Sequence, residues 1–188
     1  MTLLRAPIRE SHDDIKPHPG RRMTEKEFLA WADEDTRAEW VDGKVEMMSP
    51  VNSEHDSLVF WLRAVIQFYS EAKNLGEVHG SEFLSRLPKR LRMPDVLFVR
   101  ASRASIVGPM YVDGAPDLIV EVVSPDDETY EKLPFYAAHG VDEVMIVEGQ
   151  ERRVRIFSLA EGSYQETGHS ELLDVGAADL VAAVQWPA

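Results

Sequence analysis

Gly114-Ala-Pro-Asp-Leu-Ile-Val-Glu-Val-Val-Ser-Pro125 is the stretch that decides how this chain is read. Pro116 and Pro125 bracket a run of Leu118, Ile119, Val120, Val122 and Val123. A short β-branched run between turn signals predicts a strand buried on both faces. Alternation puts Asp117, Ile119, Glu121 and Val123 on one face and Leu118, Val120 and Val122 on the other. Glu121 is then an ionised carboxylate in an apolar strand, which costs several kcal/mol or more unless it is paired or holds a cation. Two answers are open: a buried salt bridge to an Arg or Lys, or a metal ion in an active site.

A second strand carries an acid in the same way. Pro94-Asp95-Val96-Leu97-Phe98-Val99 reads as an apolar strand with Asp95 near its start. If the two strands pair, Asp95 and Glu121 converge on one cavity, and two carboxylates with water make a hard-cation site suited to Mg²⁺ or Mn²⁺. After Pro125, Asp126, Asp127 and Glu128 supply a helix start. The helix carries Tyr130, Lys132, Leu133, Phe135, Tyr136 and Ala137, with Pro134 weakening its middle and Gly140 ending it. Such a helix can fold back and aim the Lys132 ammonium at the same cavity. A metal held by two acids beside a cation is equipment for phosphodiester hydrolysis. Each part also has a plain structural reading. Asp95 after a proline suits a turn, and Glu121 with Lys132 suits a buried ion pair without metal.

Upstream, Thr24 and Glu27 form a capping-box pattern for a helix reaching about Ala32. Ala38-Glu-Trp-Val41 and Lys44-Val-Glu-Met47 flank Asp42-Gly43, a two-residue hairpin turn. That register sets Glu39 opposite Glu46, read either as a solvated face softened by Lys44 or as Glu39 leaning toward a cation. Ser53 and Asp56 begin the longest helix, with Leu58, Trp61, Leu62, Val65, Phe68, Tyr69 and Ala72 at helical spacing up to Gly76. His55 falls in its first turn, a place where a histidine commonly caps or is solvated. Residues 77–87 alternate as a strand. Arg86, Lys89, Arg90 and Arg92 form a basic island that either holds backbone phosphate or deters sheet-to-sheet association. Val144 to Val147 is a short strand, Arg152 to Leu159 alternates as a half-exposed antiparallel strand, and the tail from Glu161 reads as short strands and turns.

The 188 residues suit a mobile tail over 1–22 and a single α/β (mixed α+β) domain over 23–188. The absence of cysteine excludes disulfides, thiolate zinc sites and a cysteine nucleophile, and fits a cytoplasmic location. No apolar run approaches membrane-spanning length, so no membrane partner is expected. A net charge of -13 argues against nonspecific coating of nucleic acid, though not against local phosphate contacts.

From about Thr24 to Leu159 the chain resembles the Uma-two type of restriction-endonuclease-like proteins, placed in the PD-(D/E)XK nuclease superfamily. The residues that carry the resemblance are Glu39-Trp-Val-Asp-Gly43, Ser49-Pro50 with His55, Pro94-Asp95-Val96, Ala115 to Pro125, and Lys132 and Tyr136 ahead of Gly140-Val141. The resemblance implies a restriction-endonuclease-like core, a mixed β-sheet flanked by helices with an N-terminal hairpin. It also implies that Asp95 and Glu121 bind metal, that Val123 stands where a Glu-x-Lys motif has its lysine, and that Lys132 on the next helix takes over that role. Glu39 and His55 match supporting positions. The implied function is a Mg²⁺- or Mn²⁺-dependent DNA endonuclease, and cutting two strands would suit a homodimer. The rivals are a non-catalytic binding module on the same fold and a hydrolase of a smaller phosphate ester.

Overall fold

The computed structural model of the chain describes residues 20–33, 36–124 and 129–187. Most of the expected tail and the helix start at Asp126, Asp127 and Glu128 lie outside the described residues. In the described residues two mixed sheets form.

The first sheet begins with the hairpin. Strands β1 (Ala38–Val41) and β2 (Lys44–Met47) pair with Trp40 opposite Val45 and Glu39 opposite Glu46, in the expected register. Asp42 and Gly43 both have positive φ, as a two-residue turn of this type requires. Residues 20–22 fall in the expected tail, yet the chain bonds along β2 from Gly20: Gly20 N donates to Val45 O, and Val45 N to Arg21 O. Helix α1 (Glu25–Trp31) starts on the Thr24–Glu27 capping box and buries Phe28 against this sheet.

Helix α2 (Ser53–Lys73) is capped one residue earlier than the sequence suggested. The Asn52 side chain accepts from His55 N, and Asn74 closes the helix in the left-handed conformation. The segment expected as one strand over 77–87 is two: β3 (Gly76–Gly80) and β4 (Leu84–Leu87), split by a turn and placed in different sheets. Gly76 is required there, since a Cβ would sit 2.0 Å from Val99 O. Strands β5 (Arg90–Arg92), β6 (Val96–Arg100), β7 (Tyr111–Asp113) and β8 (Leu118–Val122) follow. Every residue of β8 is buried, as its composition demands.

A 3₁₀ turn (Thr129–Lys132) leads into α3 (Leu133–Ala138). Pro134 does not weaken the middle of a helix. It sits in the first turn, where a missing N–H costs nothing. Strands β9 (Glu143–Glu148), β10 (Arg153–Ala160) and β11 (Ser163–Glu166) complete the second sheet, and β12 (His169–Ser170) pairs with β13 (Val175–Gly176). Helix α4 (Ala177–Ala183) was not anticipated from the tail. Its Leu180 is buried in the core, as is Val184 just beyond it.

The first sheet runs β2-β1-β5-β4-β7 and the second β11-β10-β9-β8-β6-β3. β8 and β9 are parallel, joined by a crossover through α3, while β6 lies antiparallel to β8. Helix α2 packs Leu58, Leu62 and Ile66 on one face, against Val96, Phe98, Leu118 and Val120. Tyr136 of α3 packs on the other face with Ile119, Val144 and Ile146. Among the described residues no helix is long and apolar enough to cross a membrane.

Candidate active site

The site grows from the β6–β8 pairing. Val96 is opposite Val120, so Asp95, just before β6, comes level with Glu121 near the end of β8, close enough for its charge to act on that carboxyl. The two acids expected to meet do so at the strand ends.

Each is held on both oxygens. Asp95 Oδ2 accepts from Val122 N at 2.7 Å, and Oδ1 lies 3.0 Å from His55 Nε2. His55 Nδ1 in turn lies 3.2 Å from Ser124 Oγ. His55 is therefore not a solvated residue of the first helical turn; the α2 cap aims it at Asp95. Glu121, buried with 5% of its surface exposed, accepts from Lys132 Nζ at 2.9 Å and from Tyr136 OH at 2.6 Å. The salt-bridge answer to the charge of Glu121 is thus present, and its cation is Lys132, placed by the turn before α3.

Burial pushes the Glu121 carboxyl above its ordinary range. The Lys132 charge pulls it down, and the Asp95 charge pushes it further up. Burial, reinforced by the Glu121 charge, holds the Tyr136 phenol well above its usual value, so it remains a donor to the carboxylate. Tyr136 stands four residues after Lys132, one helical turn away. That spacing is the signal in the sequence that both reach one acid.

Glu39 lies behind Tyr136. It is buried, accepts from Met93 N at 2.8 Å and pairs with Arg92 Nη1, whereas Glu46 opposite it is exposed. The solvated-face reading of this pair fails for Glu39; the cation it leans toward is Arg92. Burial alone would lower the Arg92 guanidinium, but the Glu39 charge and hydrogen bond raise it on balance.

The rest of the basic island does not gather at the acids. Arg86 bonds Glu25 at 2.6 Å and Asp113 at 3.1 Å. Arg90 reaches Asp42 at 3.3 Å and lies 4.3 Å from the Phe135 ring centre. Lys89 is exposed in the β4–β5 turn with φ of 62°.

Among the described residues no cluster of three or more His, Asp or Glu side chains could enclose a metal. Asp95 and Glu121 still fit one that keeps much of its water. Mg²⁺ is commonly bound by one or two carboxylates, and each oxygen here has a lone pair beyond its present bond. A cavity of about 390 Å³ lies next to His55 and Ser124 and is also lined by Asn52, Val122 and Gly149, but neither acid lines it.

The family profile described as "Putative restriction endonuclease", Uma2, matches residues 25–186. The chain belongs to the Uma2 family. The Uma2 match spans both sheets and every residue of the site. The fold is shared with a solved structure, that of a "putative nuclease belonging to DUF820" from Anabaena variabilis ATCC 29413. The TM-score is 0.69 at 15% identity, with 84% of this chain and 97% of that one covered. No curated protein matches this Uma2 chain.

Proposed function

We propose that the protein is a divalent-metal-dependent endonuclease that hydrolyses DNA phosphodiester bonds. The observation that carries this reading is the convergence of Asp95, Glu121 and Lys132 at the ends of two paired strands and the turn that follows. Asp95 and Glu121 would hold Mg²⁺ or Mn²⁺. Such an ion, when bound, polarises a phosphoryl oxygen and lowers the pKa of a coordinated water. Lys132 offsets charge that develops on the phosphate and orients the attacking water. Tyr136 fixes the rotamer of Glu121, and His55 with Ser124 fixes that of Asp95. Glu39 supports the wall from behind through Arg92.

The test is incubation of pure protein with supercoiled plasmid and Mg²⁺ or Mn²⁺. Nicking that needs the metal, stops with EDTA and falls by roughly a hundredfold or more in Asp95→Asn and Glu121→Gln is the expected result. Cleavage that persists in either variant, or is absent from the wild type with both metals, overturns it. A second reading, hydrolysis of a smaller phosphodiester, is favoured by the internal pairing of Arg86, Arg90 and Arg92, which leaves little of the basic island for a long polyanion. Turnover of bis(4-nitrophenyl) phosphate without plasmid cleavage would select it.

A further inference from the structure

We propose that Arg37 is a substrate-binding residue, taking a non-bridging oxygen of the phosphodiester on the Asp95 side of the site. This rests on the hydrolase reading above and adds to it a residue outside the matched motifs.

Three observations carry it. First, Arg37 is half-buried and its Nε is fully buried without a hydrogen-bond partner among the described residues. A buried N–H without an acceptor costs about 1–3 kcal/mol; Arg92 Nε and His79 Nε2 share that state, and Arg37 differs from them in lining a cavity beside Asp95. Second, Arg37 lines a small cavity of about 70 Å³ together with Asp95 and His55. That space suits about two water-sized groups and not a nucleoside. The chain places Arg37 there because it immediately precedes β1. In the antiparallel β1–β5 pair the start of β1 lies toward the end of β5, which leads on to Asp95. Third, Arg37 makes no ion pair among the described residues, while Arg86, Arg90, Arg92 and Arg103 are each paired with a carboxylate. Asp56 and Glu82, both exposed, also line the cavity and keep a guanidinium tolerable there without bonding it.

A planar guanidinium with an unused N–H beside a hard-cation site suits an anionic tetrahedral group with several acceptor oxygens. The Arg37 contact and the Lys132 ammonium would then approach the phosphoryl group from different elements, one from each sheet's side of the site.

The experiment uses the full chain, a fluorescein-labelled 16-base-pair duplex, and Ca²⁺ in place of Mg²⁺, with Arg37→Ala, Arg37→Gln and Arg37→Lys beside the wild type. The expected result is duplex affinity weakened about tenfold or more in Ala and Gln, the range of a lost charge-assisted hydrogen bond. Lys restores it only in part, because it keeps the charge but lacks the planar donor fork of the guanidinium. Melting temperatures of the metal-free variants should match the wild type or exceed it, since the guanidinium gives up no bond. Equal affinity in all proteins, no binding by the wild type, or a melting temperature lowered by several degrees in all three variants would overturn the inference. Plasmid cleavage separates the two readings. Wild-type cleavage with KM unchanged in Arg37→Gln sinks only the Arg37 contact. Loss of duplex affinity in Arg37→Gln, with a wild type that never cleaves, sinks only the hydrolase.

Discussion

Glu121 takes bonds from an ammonium and a phenol, and the two donors act on it differently. Lys132 supplies a charge, whereas Tyr136 supplies a neutral hydroxyl that burial keeps protonated. Both favour the ionised carboxyl, the form a metal needs, against burial and Asp95, which disfavour it. Tyr136→Phe removes one favourable contribution, so the Glu121 pKa should rise further. The acidic limb of the pH–activity profile should then move to higher pH, with the rate at alkaline pH less affected. A profile of plasmid nicking against pH for both proteins checks this, and an unmoved limb would mean that Glu121 does not titrate in the reaction. Asp95 has a different support, a backbone N–H from the very strand that carries Glu121. Any shift of β6 against β8 therefore disturbs both acids at once.

At the scale of elements, the β1–β2 hairpin shows how far one register can serve two purposes. Glu39 and Glu46 face each other, yet one is buried against Arg92 and the other is exposed. Glu39→Ala would leave the half-buried Arg92 without its closest partner and Met93 N without its acceptor, and should cost about 1–3 kcal/mol. Glu46→Ala should change stability by less than about 0.5 kcal/mol, as surface substitutions usually do. Urea titration of both variants tests the contrast, and similar midpoints would refute it. Most elements were legible from local pattern: the Asp42-Gly43 hairpin, the Thr24 cap, the α2 periodicity and the apolar β8 run. The misreadings have local causes too. Residues 77–87 alternate throughout, so nothing in their pattern marked the turn that sends β3 and β4 to different sheets. The placement of Pro134 depended on where the helix begins, and its start at Leu133 follows a 3₁₀ turn that propensity does not reveal.

For the whole molecule, charge sets the terms of any encounter with DNA. A net charge of -13 repels a polyanion at long range, and much of the basic island is spent on internal pairs. Affinity should therefore depend weakly on salt. With two phosphate contacts, from Lys132 and Arg37, the slope of log K against log salt should be about −2. Fluorescence anisotropy of the labelled duplex with Asp95→Asn protein across a salt series measures it. A slope several times steeper would show a basic surface that the pairing pattern does not suggest.

What the sequence by itself determined was the set of chemical demands. An acid in a doubly buried strand needs a partner, a second acid begins another such strand, and a lysine follows on the next element. Those demands are local, because burial and alternation follow from the residues nearest in the chain. Only the tertiary structure decided who meets them. Arg92 answers Glu39 across 53 residues, His55 answers Asp95 across 40, and Arg37 reaches the Asp95 cavity from the other sheet. Such partnerships depend on strand order and register between distant segments, and side-chain chemistry at either end leaves those undetermined.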